Sequence, residues 1–220
     1  MFIGHFAVGF ASKRLAPRSS LAVLLAAPLL ADLLWPAFLL AGVERVEIHP
    51  ATNPFLSLTF VSYPWSHSLV MGLLWAVLFA GIYFALTRYS TGAWVIALGV
   101  VSHWVLDVVT HRPDMPVSPW GSTMLGLGLW ESVPGTVAVE SVMFITGVWL
   151  YNTSTVARDR IGRYGWWGLV AFAAAGYLMN LFGSTPPTVT AIGWMGLALG
   201  ILTAVWAWWA DRHREAKTSQ

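Results

Sequence analysis

The stretch HSLVMGLLWAVLFAGIYFALTRYSTGAWVIALGVVSHWVLDVVTH, residues 67–111, decides the fold. It holds two runs of about 20 mainly apolar residues, 67–87 and 91–111, each long enough at about 1.5 Å per residue to cross a hydrocarbon core of about 30 Å. The short connection around Arg88 makes the pair a helical hairpin that crosses a bilayer and returns. The second run ends on an anomaly: His103, Asp107 and His111 recur every fourth residue, which stacks them on one helix face. Ionisable residues inside a membrane span are costly, and such a stripe marks a functional candidate.

The rest of the chain repeats the apolar pattern. Further runs at 20–42, 133–151, 164–183 and 189–210 bring the expectation to about six transmembrane helices. The first segment, MFIGHFAVGFAS, is too short to span and reads as a re-entrant or interfacial helix; Lys13 and Arg14 follow it, whereas a signal peptide carries its basic residues ahead of the apolar stretch. Of the 220 residues 57% are hydrophobic and only 10% charged, against roughly 25% charged in soluble domains. With no repeat or linker, the chain is expected to be one all-α, polytopic membrane helical bundle over residues 1–220. Cysteine is absent, which excludes disulfides and thiolate metal sites. The net charge of +2 is spread in short clusters, so nucleic acid is not an expected partner.

Those clusters orient the bundle. Lys13, Arg14, Arg18, Arg88, Arg158, Arg160, Arg163, Arg212, Arg214 and Lys217 fall on one side of the expected spans, and only Arg45 and Arg112 on the other. The positive-inside rule then places both termini in the cytoplasm and the long loops 43–66 and 112–132 outside. Trp65, Trp120, Trp130 and Trp166 lie near span ends and read as interfacial anchors.

Counting helical rise from the basic end puts Asp32 at roughly 20 Å, His103 at about 18 Å and Asp107 at about 24 Å; Glu140 lies roughly 10 Å below the opposite boundary. His5 reaches about 12 Å if its segment is helical, while His67 and His111 fall near the outer boundary. The polar groups therefore converge on the outer half of the bundle. Histidine and carboxylate without thiolate suit Zn²⁺ or Mn²⁺. His103 and His111 lie about 12 Å apart along the helix axis, with Asp107 about 6 Å from each, an arrangement that favours two neighbouring ions. Two ions form the usual device for phosphoester hydrolysis. Blander readings exist for single residues: Asp32 or Glu140 as an interhelical hydrogen bond, and His67 as a helix-start residue behind an N-cap at Ser66. His49 and His213 read as solvated.

On the residues GHFAVGF, LLADLLWP, WSHSLVMG, HWVLDVVTHRPDMP and GLGLWES, the chain resembles the bacterial membrane-bound metal-dependent hydrolases, partly known as LexA-regulated, damage-inducible inner-membrane proteins. The resemblance covers roughly the first 140 residues; the spans 164–183 and 189–210 add nothing diagnostic. That family is distantly similar to zinc-dependent phospholipase C and the single-strand nucleases of the same fold. It implies a ligand order His5, Asp32, His67, His103, Asp107, His111. The soluble enzymes also use a terminal tryptophan amine, where this chain begins Met1-Phe2, and a later His-x3-acid pair; here either Glu140 or Glu131 replaces that pair or the third metal is absent, and two metals are expected.

The expectation is thus a multi-pass protein of the bacterial inner membrane that hydrolyses a phosphoester or phosphodiester of a lipid-type substrate from the extracytoplasmic side, with two divalent ions, zinc or manganese. Asp107 would position or bridge the metals, Arg112 would pair with substrate phosphate, and Asp114 and Glu131 are candidates for the general acid or for support of a ligating histidine. The alternatives are a divalent-cation transporter or channel, which needs polar features continuing to both faces, and a non-catalytic membrane protein stabilised by metal.

Overall fold

A computed structural model describes residues 1–49 and 51–217. Helix α1 (Ile3–Leu15) is followed by two short helices, α2 (Leu21–Ala26) and α3 (Leu30–Leu40), and by a loop with the antiparallel strands β1 (Arg45–Ile48) and β2 (Leu58–Ser62). A single turn, α4 (Pro64–His67), leads into α5 (Leu69–Thr87), which reverses at Arg88 into α6 (Ser90–Thr110). Arg88 adopts a left-handed φ of 54°, which makes the reversal tight. The next loop pairs β3 (Met115–Pro116) with β4 (Met124–Leu125). Helices α7 (Val133–Ser154), α8 (Arg160–Phe182) and α9 (Val189–Arg212) complete the bundle, and β5 (Thr155–Ala157) pairs with β6 (Arg214–Ala216) at its basic end.

Five helices, α5 to α9, are long and apolar enough to cross a membrane. Their outer faces carry large bare side chains, such as Leu86 at 81% and Phe182 at 83% exposure, which water would penalise and lipid accepts. The chain is a helical membrane protein. Five of the six expected spans are these continuous helices; the sixth, 20–42, is divided into α2 and α3 by a turn at Ala27-Pro28-Leu29. Pro28 has no amide to donate and its ring crowds the preceding turn, so the helix stops there. The piece restarting at Leu30 is only 11 residues long.

Helix α1 is buried inside the bundle along α7 and is not an interfacial segment. Gly147 permits the contact, because a Cβ there would sit 2.6 Å from the Ala7 backbone. Beyond His5, Phe6, Phe10, Leu21, Leu25, Phe144, Tyr151 and Trp166 form a dense core, with Phe10 edge-on to Trp166 at 4.8 Å between centroids. Trp166 is thus fully buried in the core and not interfacial. The far end of α1 is pinned by a satisfied polar cluster. Lys13 Nζ donates to Asp211 Oδ2 at 2.7 Å and to the Ser19 carbonyl at 2.8 Å, while Tyr151 donates to Asp211 Oδ1 at 2.7 Å.

Candidate metal centre

The stripe on α6 forms the floor of the site. His103 and Asp107 are buried on the inner face of α6, and His111 is buried at its C-terminal cap. Asp107 Oδ2 lies 3.1 Å from His103 Nε2 and 4.0 Å from His111 Nε2. Its Oδ1 lies 3.0 Å from His5 Nε2, brought in by α1, and accepts from the Met1 amine, which also reaches Thr110 Oγ1 at 3.3 Å. On the other side of His103, α3 and α4 place Asp32 Oδ1 3.6 Å from His67 Nε2. The His103 ring lies between those of His5 and His67, with centroids 4.1 and 5.0 Å away. Two groups, His5/His103/Asp107 and Asp32/His67/His103, each bring their ligand atoms within 4.8 Å of one another. Four elements remote in sequence, α1, α3, α4 and α6 with its cap, thus bring His5, Asp32, His67, His103, Asp107 and His111 together.

The histidines are held from behind. His103 Nδ1 donates to the Pro28 carbonyl at 2.8 Å, an acceptor presented by the break between α2 and α3. His111 Nδ1 lies 2.9 Å from Asp114 Oδ1 and 3.4 Å from the Tyr63 hydroxyl. His67 Nδ1 lies 2.6 Å from Ser66 Oγ, which donates to Glu44 Oε2 at 2.6 Å. An ionised carboxylate only accepts, so the single Ser66 proton goes to Glu44 and Ser66 accepts from His67 Nδ1–H. In all three cases Nδ1 is engaged outward and Nε2 turns toward Asp32 or Asp107, the arrangement that fixes tautomer and ring orientation in metal-ligating histidines. Two buried nitrogens at the centre, His5 Nδ1 and His103 Nε2, make no hydrogen bond, although buried polar atoms are normally satisfied. With two carboxylates, four imidazoles and no thiolate, the donor set fits a borderline divalent ion such as Zn²⁺ or Mn²⁺.

The remaining expected residues are distributed unevenly. Glu140 is fully buried, but its Oε2 accepts from the Phe2 and Gly4 amides at 2.8 and 3.1 Å; it caps α1 from α7 and leaves Oε1 without a partner. Asp114 supports His111. Arg112 and Glu131 are exposed, and no hydrogen bond joins their side chains to the cluster among the described residues. Trp130, expected at the interface, covers His111 with 4.2 Å between ring centroids. Ser66 is not the cap of the following helix: Ser68 caps α5 through the Met71 amide. His49 is exposed against Glu47, and His213 pairs with Asp159, both away from the cluster.

Glu44 escaped the sequence reading. It is only 2% exposed, and its Oε1 accepts from the Trp65 and Ser66 amides at 2.8 and 2.9 Å, capping α4 as Oε2 holds Ser66. Burial raises its carboxyl above the ordinary glutamate range, while the Ser66 hydroxyl and the two amides pull it down. Burial likewise raises the Tyr63 phenol, with the Asp114 charge adding to the shift. No spacing in the sequence links Glu44 to Ser66; only the folded loop does. Comparison with protein-family models, with curated proteins and with solved structures gave no match.

Proposed function

We propose that the chain is a divalent-metal-dependent hydrolase of the bacterial inner membrane that cleaves a phosphoester or phosphodiester of a lipid-type substrate from the extracytoplasmic side. The observation that carries this reading is the set of three histidines tied outward through Nδ1 with Nε2 aimed at two carboxylates, the buried Asp107 and the partly exposed Asp32. Since Nδ1 of His103 is committed to Pro28, its one free nitrogen would serve a single ion. Asp107, with an oxygen toward His5 and another toward His103 and His111, is the residue able to serve two. When bound, the ions supply Lewis acidity toward a phosphoryl oxygen and activate water.

The chain's own residues do the rest. Asp107 fixes the spacing of the imidazoles, Ser66 and Asp114 hold the tautomers of His67 and His111, and Phe60 and Trp130 shield His111 from bulk water at 5.0 and 4.2 Å. Arg112, exposed just beyond His111, is the cation for substrate phosphate. Ion passage finds little support, because the core of Phe6, Phe10, Phe144, Tyr151 and Trp166 fills the bundle below His5. A purely structural metal would call for a closed site, yet the Asp32 side chain is 43% exposed.

The test is turnover of bis(p-nitrophenyl) phosphate and of diacyl phospholipid by detergent-purified protein supplied with Zn²⁺ or Mn²⁺. Activity should vanish with chelator and fall by more than about 100-fold in Asp107→Asn and His67→Ala. Hydrolysis indifferent to chelator and to both substitutions contradicts the reading.

A further inference from the structure

The division of 20–42 has a consequence for access. Helix α5 packs chiefly on α6 and barely meets the short α3, so a crevice separates α3 from α5 over the surface of α6. Its walls and floor are mainly apolar, formed by Leu30, Trp75, Val100 and Trp104, and its polar end carries Ser66 and Ser68 beside His67 and His103. The enclosed part is slight, about 10 Å³, and most of the roughly 250 Å³ is the open mouth, so an occupant lies along the crevice and not inside a cavity. Gly72 lies on its rim, and a Cβ there would meet nothing within 4 Å. Around the mouth, Leu73, Leu74 and Val77 are exposed on the lipid-facing side of α5, so the opening is lateral. Gly72 is the fourth residue of α5, about 5 Å below the end of that helix nearer His67.

We infer that this crevice seats an acyl chain of a phospholipid that enters sideways from the adjoining leaflet, with its phosphate delivered to the His67/His103 end. The inference rests on the hydrolase reading for its chemistry but on the crevice for its substrate. A chain passing from lipid to an apolar crevice gains little hydrophobic free energy, because both environments are apolar. The crevice therefore orients the lipid, and the polar end supplies the affinity. That division of labour suits a site whose ligands lie on one side of a slot and whose exposed carboxylate, Asp32, lies 3.6 Å from His67 on the α3 side.

Two glycines of α5 make the test. Gly72 lies on the crevice, Gly81 lies elsewhere on the same helix, and a side chain at either meets no neighbour within 4 Å. Gly72→Phe and Gly81→Phe are purified with wild type, reconstituted in phosphatidylglycerol/phosphatidylethanolamine vesicles containing a phosphatidylethanolamine with a diazirine in its acyl tail, and photolysed. Labelled peptides are mapped by mass spectrometry. Labelling of the segments 69–76 and 99–105 should fall at least fivefold in Gly72→Phe and stay unchanged in Gly81→Phe. Hydrolysis of diacyl phospholipid should fall with it, while metal content and hydrolysis of bis(p-nitrophenyl) phosphate remain. Labelling insensitive to Gly72→Phe, or reduced equally by Gly81→Phe, overturns the acyl site. So does a dimer that Gly72→Phe converts to monomer with labelling unchanged, since a second copy then covers the crevice. Gly72-dependent labelling with no phosphoester hydrolysis by any variant supports the crevice and overturns the hydrolase reading instead.

Discussion

Glu44→Gln tests whether the outer hydrogen bonds set the ligands. The substitution preserves volume, and the glutamine oxygen still accepts from the Trp65 and Ser66 amides that Glu44 Oε1 now holds at 2.8 and 2.9 Å, so α4 keeps its cap. What changes is the other end of the side chain. Its amide nitrogen donates to Ser66 Oγ where a carboxylate accepted, and the Ser66 proton turns to His67 Nδ1 at 2.6 Å in preference to the Tyr63 carbonyl at 3.4 Å. His67 is then driven to the tautomer protonated on Nε2, the atom facing Asp32. Loss of an outer partner of this kind lowers metal affinity about 10- to 100-fold, equivalent to about 1.4–2.7 kcal/mol. Zinc affinity is read by competition with a chromophoric chelator, and the His67 tautomer by ¹⁵N chemical shifts. Removing the hydroxyl as well makes the argument specific: Glu44→Gln/Ser66→Ala should recover to within about threefold of Ser66→Ala alone, because nothing then donates to Nδ1. A folded Glu44→Gln with wild-type zinc affinity, or a double variant as weak as Glu44→Gln, contradicts the proposed relay.

Other outcomes follow from the packing. Gly147→Val puts a side chain into the Ala7 backbone, where even a Cβ comes within 2.6 Å, and should push α1 and His5 from the centre; metal content should drop in protein that still elutes as a single species. Lys13→Met leaves Asp211 buried without its cation and should destabilise by about 3–5 kcal/mol, seen as a lowered Tm, while folded protein keeps its metal. Asp159 caps α8 through the Gly162 amide and binds His213, which together hold its carboxyl below the ordinary aspartate range. A depressed acid stabilises the fold above its unfolded pKa and loses that contribution as pH falls through the folded value. The Tm gap between wild type and Asp159→Ala should therefore close as pH falls below about pH 4.

Much of the bundle was legible because membrane spans announce themselves by length. The hairpin 67–111 and the spans near 133, 164 and 189 needed only an apolar run, and the His103/Asp107/His111 stripe needed only helical periodicity. Depth counting set Asp32 level with His103 but left His5 lower, at about 12 Å, and His67 near the outer boundary; the folded helices bring all three against His103. The break at Pro28 was misjudged because a proline within an apolar run is tolerated in many spans, its freed groups being satisfied by neighbours. Here the neighbour is His103, so the feature that interrupts the span also orients a ligand. Glu140 was legible as a buried acid but not as the cap of α1, since its partners are backbone amides that leave no mark in the sequence. Glu44 and Trp130 lie in loops without period, and only the folded loops bring them to Ser66 and His111.

The most direct measurement is the metal content of detergent-purified wild type beside Asp107→Ala, each supplied with Zn²⁺ and Mn²⁺ and then desalted. Asp107 offers both oxygens to the imidazoles of His5, His103 and His111, so wild type should retain about two equivalents of zinc or manganese and Asp107→Ala should lose them while keeping its helical content. Wild-type protein that retains no metal, or an alanine variant that retains as much as wild type, would make the buried cluster a matter of helix packing alone.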